Sequence, residues 1–124
     1  MDVIISNASS QPIYEQIFAQ IKNSIISGRL KEGDALPSIR MLAKDLRISV
    51  ITTKRAYDEL ERAGYIYTVA AKGCFVAEKN VEVIREERLK EIEEHLRKVS
   101  ELAVGSELDD KEIFDMYVLI KKEG

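Results

Sequence analysis

The stretch SIRMLAKDLRISVITTKRAYDELERAG, residues 38–64, decides the fold. Ser38 is a favourable helix N-cap, and the apolar residues after it predict a short helix that reaches about Leu46. A tight connection at Arg47 follows. Ser49 then caps a second predicted helix over residues 50–63, and Gly64 ends it. Two helices joined by so short a turn are typical of a helix-turn-helix unit.

The sequence on either side completes a recognisable order of elements. Isoleucines recur every four residues from Ile13 to Ile25 and predict a helix that begins near Pro12, the residue expected at its first position, with Gly28 at its C-terminal cap. β-forming residues at 65–69 and 74–77 flank a turn and predict a hairpin. The order helix, helix, tight turn, helix, hairpin is that of a winged helix-turn-helix. A short apolar run at residues 3–5 favours an additional strand.

Beyond residue 80 the pattern changes to that of a two-helix tail. Apolar residues spaced alternately by three and four form a seam of about two heptads, and Gly105 breaks it. Asp109 and Glu112 form a capping box for a last helix that is apolar nearly all round. One short neighbouring helix cannot bury all of this apolar surface, so a second subunit is expected to bury the rest. The residues predicted to form the dimer are Leu89, Ile92, Leu96, Val99, Ile113, Phe114, Met116, Tyr117 and Ile120.

The predicted fold class is therefore mainly α with a small β-hairpin. Residues 1–79 are expected to form a winged helix-turn-helix DNA-binding domain, and residues 80–124 a short, two-helix dimerisation region. A chain of 124 residues has little room for a separate ligand-binding domain. Whether a small-molecule effector binds is left open, since the tail is too small to enclose a typical pocket within one subunit.

The charge of the chain is unevenly distributed. The net charge of −3 would by itself argue against nucleic acid, yet residues 38–79 carry a net +3 and residues 80–124 a net −5. No stretch is long and apolar enough for a membrane span, and no signal peptide is visible, which predicts a cytoplasmic location and no membrane partner. One cysteine allows no internal disulfide.

The candidate DNA contacts follow from the geometry of a helix-turn-helix, whose second helix presents its N-terminal residues to base edges in the major groove. Hydroxyl groups can bond phosphates or bases, apolar side chains can contact thymine methyl groups, and cations can neutralise phosphates. The hairpin tip is expected to reach the adjacent minor groove or its phosphates. The candidates are Arg40, Ser49, Val50, Ile51, Thr52, Thr53, Lys54, Arg55, Lys72 and Gly73.

Alternative functions have weaker support. His95 has no second histidine and no cysteine nearby, so no metal site is predicted, and Cys74 is interpreted as a half-buried filler rather than a redox switch. No nucleophile–base arrangement and no phosphate-binding loop is present, so neither an enzyme nor a cofactor is predicted. A winged helix that binds protein instead of DNA remains the main alternative, with the tail helices as its docking surface.

Several ordered motifs resemble one family. Residues 10–78 are similar to the GntR family of bacterial transcription regulators, and the short tail resembles the YtrA-like subfamily, whose C-terminal region serves dimerisation. The motifs that carry the resemblance are Pro12-Ile13-Tyr14-Glu15-Gln16-Ile17, Gly28-Arg29-Leu30, Gly33-Asp34, Leu36-Pro37-Ser38-Ile39-Arg40, Leu42-Ala43, Ala56-Tyr57, Leu60-Glu61, Gly64-Tyr65-Ile66 and Lys72-Gly73-Cys74-Phe75-Val76.

The resemblance implies a homodimeric repressor that binds a palindromic double-stranded DNA operator, with control of a transporter operon. It implies DNA contacts at Arg40, Ser49, Thr52, Lys54 and the wing around Lys72-Gly73. Two positions depart from the family pattern. Val50 stands where many members have an arginine, which suggests a more apolar readout, and Ala71 replaces a frequent glycine, which stiffens the wing turn.

Overall fold

The computed structural model describes all residues, Met1 to Gly124, and contains five helices and one two-stranded antiparallel sheet. In chain order the elements are α1 (Ile13–Ile26), α2 (Ile39–Leu46), α3 (Val50–Arg62), β1 (Ile66–Val69), β2 (Gly73–Val76), α4 (Val81–Ala103) and α5 (Asp110–Glu123). The chain divides into two compact units, Met1–Asn80 and Val81–Gly124. The predicted class, mainly helical with a small hairpin, is confirmed.

The first unit has a core built on α1. Ile17, Ile21 and Ile25 lie on one face of this helix and are almost fully buried. They pack with α3, where Leu60 is fully buried, and α2 also packs against α3. Each buried isoleucine contributes about 1.5–3 kcal/mol relative to an exposed one. The four-residue isoleucine spacing therefore fixes which side of α1 supports α3.

The helix boundaries are set by caps and by backbone turns. Ser38 Oγ accepts the backbone N–H of Met41 at 3.1 Å, so the predicted N-cap of α2 is confirmed. Arg47 adopts a left-handed conformation, with φ of 57°, and turns the chain between α2 and α3. Pro12 is the N-cap of α1 rather than its first helical residue, and α3 ends at Arg62 instead of residue 63.

The predicted hairpin is present, with small differences in its bounds: β1 begins at Ile66 instead of residue 65, and β2 runs over Gly73–Val76 instead of 74–77. β1 and β2 pair from Ile66 opposite Val76 to Val69 opposite Gly73. The loop before α2 joins this sheet, because the N–H of Leu36 donates to the Cys74 carbonyl and the N–H of Val76 donates to the Asp34 carbonyl, both at 2.9 Å. The wing is therefore fixed to the segment that leads into the helix-turn-helix.

Residues 3–5 do not form the predicted strand. The side-chain amide of Gln20 accepts the Ile4 N–H and donates to its carbonyl, and Gln16 does the same for Ser6. No neighbouring strand is available, so glutamine side chains satisfy the backbone groups that a sheet would otherwise pair. β-branched residues favour an extended chain here, but they do not supply a partner strand.

The second unit consists of α4 and α5. Asp109 accepts the Glu112 N–H at 2.8 Å, and the Glu112 carboxylate accepts the Asp109 N–H, which confirms the capping box. Neither helix has a buried residue. None of the five helices combines the length and the apolar character needed to cross a membrane.

Candidate nucleic-acid interface

α3, the predicted recognition helix, has one buried and one exposed face. Thr53, Ala56, Tyr57 and Leu60 are buried, whereas Ile51 is 82% exposed although it is apolar. Val50 and Met41 are also exposed apolar residues, one at the start of α3 and the other on α2. An exposed isoleucine near the N-terminus of such a helix is unexplained by packing within this chain.

The first turn of α3 holds a small hydroxyl network. Ser49 Oγ accepts the backbone N–H of Thr52 at 3.0 Å and donates its proton to Thr52 Oγ1 at 2.7 Å. Ser49 is therefore engaged as the N-cap. Because Thr52 Oγ1 receives that proton as an acceptor, its own hydroxyl proton stays available for an outside acceptor such as a phosphate.

Thr53 does not belong to the interface, which corrects the prediction made from the sequence. Its side chain is 0% exposed, and its hydroxyl donates to the Ser49 carbonyl at 3.1 Å. A threonine hydroxyl bonded one turn back along the helix is satisfied without any partner outside the protein. Thr53 thus lies on the buried face of α3 with Ala56 and Tyr57.

The three cations of α3 lie in different surroundings. Lys54 Nζ pairs with Asp58 at 2.7 Å, and Arg62 pairs with Glu59 at 2.9 Å, both on the exposed surface. The guanidinium carbon of Arg55 lies 3.8 Å from the centre of the Tyr14 ring, on α1. Nothing in the sequence pattern links Tyr14 to Arg55, because this contact joins distant parts of the chain.

Further candidates lie on α2 and at the hairpin tip. Arg40 in the first turn of α2 and Lys72 in the wing turn are exposed and form no ion pair. Gly73 has a φ of 111° and Ala71 one of 66°. The left-handed conformation at Ala71 is one that alanine disfavours, so the stiff wing turn expected from the sequence is also a strained one.

Tyr57 connects α3 to the loop ahead of α2. Its hydroxyl donates to the Pro37 carbonyl at 2.7 Å, and its side chain is buried in the core. Burial raises the pKa of the Tyr57 phenol above its ordinary value, and the charge of Cys74 adds a smaller increase. The relative position of α2 and α3 therefore depends on an interior hydrogen bond.

Potential metal ligands and the single cysteine are the remaining reactive groups of the chain. No group of three or more histidine, cysteine, aspartate or glutamate side chains is arranged to hold a metal ion. Cys74 is free and half-buried in β2, with its sulfur 3.4 Å from the hydroxyl of Thr68. The exposed groups in the first turns of α3, from Ser49 to Arg55, are hydroxyls, apolar side chains and cations, a combination suited to contacts with DNA bases and phosphates.

Comparison with known proteins agrees with this geometry. Residues 13–76 match the family model "Bacterial regulatory proteins, gntR family". The chain is 39% identical over 95 residues to the HTH-type transcriptional repressor YtrA of Bacillus subtilis, covering 77% of this chain and 73% of that protein.

Solved structures of similar fold include two transcription regulators. A GntR family transcriptional regulator from Listeria monocytogenes superposes with a TM-score of 0.70 and 32% identity, covering 92% of this chain and 96% of that one. The DNA-binding domain of AraR, in complex with operator ORX1, gives a TM-score of 0.55 and 26% identity over 62% of this chain and 96% of its own. The relatives and the fold are those of transcription regulators, not enzymes. This chain belongs to the GntR family of bacterial transcription regulators.

Proposed function

We propose that the protein is a homodimeric repressor that recognises a palindromic operator through α3 and the wing. The observation that carries the proposal is the exposed N-terminal end of α3. There the Ile51 side chain has no packing role within the chain, and the Thr52 hydroxyl proton is available to an outside acceptor. The similarity to the YtrA repressor and to the operator-bound domain of AraR supports a DNA-binding repressor.

Each proposed DNA contact has a distinct chemical task. Base contacts carry sequence information, whereas phosphate contacts fix the position of the protein on the duplex. Val50 and Ile51 are suited to thymine methyl groups, and the Thr52 hydroxyl to a phosphate or base acceptor. The proposed phosphate contacts are Arg40, Lys54, Arg55 and Lys72, with Gly73 allowing the wing backbone to approach the DNA closely and Ser49 fixing the start of the helix.

A second copy of the chain is the proposed cover for α4 and α5. Phe114 is 62% exposed and Leu96 is 60% exposed, and the other predicted dimer residues are exposed or half-buried. A two-fold dimer carries two recognition helices, which fit half-sites about one turn of DNA, roughly 34–36 Å, apart. The proposed target class is a transporter operon, and its support is the YtrA-like character of the chain alone.

Operator recognition is tested by selecting duplexes from a random pool and measuring affinity by fluorescence anisotropy. The selected sequences should be palindromic, and the best should bind at least about 10³-fold more tightly than a scrambled duplex at the same salt concentration. Equal affinity for selected and scrambled DNA would contradict operator recognition. It would favour the alternative, a winged helix that binds protein.

Ile51 should read thymine methyl groups in the selected operator. Replacing the thymines of each half-site with deoxyuridine removes only these methyl groups, so wild-type binding should weaken several-fold. Ile51→Ala should lose affinity for the thymine operator and respond little to deoxyuridine. Anisotropy titrations of both proteins against both duplexes measure the coupling.

The matched control for this prediction is Ile4→Ala. It removes another isoleucine of similar exposure, 76%, from the N-terminal segment of the same unit. Ile4→Ala should respond to deoxyuridine as the wild type does. Ile51 has no part in thymine recognition if Ile51→Ala also keeps the full wild-type response.

A further inference from the structure

Arg55 differs from the other cations of α3 in having no carboxylate partner. Lys54 and Arg62 are each paired with an acidic side chain on the same helix, whereas Arg55 lies over an aromatic ring. A carboxylate partner would occupy N–H donors of a guanidinium and offset its charge. An aromatic face holds the guanidinium by its plane, so the N–H groups at its edge remain free and the positive charge is kept.

The ring that holds Arg55 is itself held in place. Tyr14 lies in the first turn of α1 and is half-buried, and its hydroxyl donates to the Glu15 carboxylate at 3.1 Å. α1 and α3 form the most extensive helix–helix packing in the first unit. The Tyr14 ring is therefore held rigidly against the core. An exposed arginine that packs on this ring loses less conformational entropy when it binds a ligand.

We infer that Tyr14 is a positioning residue for DNA binding. It orients the Arg55 guanidinium so that the free N–H edge meets a backbone phosphate. The inference rests on the proposed function, since it assigns how one element of that DNA surface is prepared. The ligand of Arg55 is a phosphate rather than a base, so the effect of Tyr14 should be the same on specific and on non-specific duplexes.

The salt dependence of binding tests the phosphate contact. One contact in each of two subunits corresponds to a change of about 1.8 in the slope of log K against log salt concentration, and Arg55→Ala should reduce the slope by that amount. The matched control is Arg62→Ala, which removes a cation at the C-terminal end of α3, away from the proposed DNA contacts, and should leave the slope unchanged.

The role of Tyr14 is tested by a double-mutant cycle on the full-length chain. Tyr14→Leu should weaken binding by about five- to thirtyfold for a dimer, with the slope retained because Arg55 keeps its charge. Tyr14→Phe preserves the ring and should restore the wild-type affinity. In the Arg55→Ala background Tyr14→Leu should have no further effect, since the residue it positions is gone.

The outcomes separate the inference from the proposed function. If the wild type binds no DNA, the proposed function fails. If the wild type binds but Arg55→Ala keeps the full slope, the phosphate contact is wrong while operator recognition stands. If Tyr14→Leu weakens binding equally in both backgrounds, Tyr14 acts only on the fold. Tyr14→Gln serves in the same cycle should Tyr14→Leu not fold, as judged by thermal unfolding.

Discussion

A chain that carries both Leu96→Glu and Tyr117→Glu should be monomeric and should bind its operator at least about a hundredfold more weakly than the wild type. The two residues lie on α4 and α5, and both are exposed within the single chain. If a second copy covers these helices, each glutamate would be buried in an apolar contact without a partner. The cost of removing such a charge from water exceeds what a small interface supplies.

The loss of operator affinity follows from the loss of bivalency. In a dimer, binding of one half-site raises the effective concentration of the second DNA-binding unit near the other half-site. Residues 38–79, the segment proposed to contact DNA, carry a net charge of only +3 in each chain, so a single half-site should offer limited electrostatic attraction. Operator binding should therefore depend on both subunits together, and a monomer should bind little better than it binds scrambled DNA.

Light scattering gives the mass and fluorescence anisotropy gives the affinity. The wild type should have twice the chain mass of 14.1 kDa at micromolar concentration, and the double variant should have that of one chain. Ser100→Glu is the matched control, because it adds a glutamate at an exposed polar position of α4. A monomeric wild type, or a double variant that remains dimeric, would show that these faces do not form the dimer.

Local signals in the sequence account for most of the fold. The caps at Ser38, Ser49 and Asp109 act on backbone groups within three residues, so their effect is visible in the sequence itself. The Lys54–Asp58 pair is likewise predictable from its spacing along one helix. The ends of helices that are set by such local contacts are therefore predictable from the sequence to within about two residues.

Thr53 and the N-terminal segment show where such local reasoning fails. Thr53 lies three residues before Ala56 and four before Tyr57, so helical periodicity places it on the buried face, yet its polar side chain favoured an exposed assignment. At residues 3–5 the composition favoured a strand, but the backbone of Ile4 is paired with the side chain of Gln20, which belongs to a helix.

The candidate site depends more on long-range contacts than the fold does. Its residue types were predictable, because exposed hydroxyls, cations and apolar side chains follow from the helix-turn-helix geometry. The stacking of Arg55 on Tyr14 was not, because it requires knowing how α1 packs on α3. The same holds for the hydrogen bond from Tyr57 to Pro37, which joins α3 to the loop before α2.

Tyr57→Ala should destabilise the first unit by about 3–5 kcal/mol, because it removes a buried aromatic side chain and leaves a cavity between α3 and the α2 loop. Tyr57→Phe keeps the ring and removes only the hydroxyl. It should cost about 1–3 kcal/mol, the expected cost of leaving the Pro37 carbonyl without its partner. Urea unfolding followed by circular dichroism measures both values, and equal costs would mean that the ring contributes little.

The pH dependence of the same pair of proteins isolates the hydroxyl. Burial raises the pKa of Tyr57 in the folded state, so above the ordinary phenol pKa of about 10 the unfolded chain releases a proton that the folded chain retains. The unfolded state then binds fewer protons, and the free energy of unfolding falls as pH rises, by up to about 1.4 kcal/mol per pH unit from this group. Below about pH 10 the stability that the neutral Tyr57 phenol contributes is fully present.

Tyr57→Phe has no proton to lose at this position. The difference in the free energy of unfolding between Tyr57→Phe and the wild type should therefore be constant up to about pH 10. Above that pH the difference should shift in favour of the variant. Parallel stability curves for the two proteins between about pH 10 and pH 11.5 would show that the Tyr57 hydroxyl is not held in its neutral form by the fold.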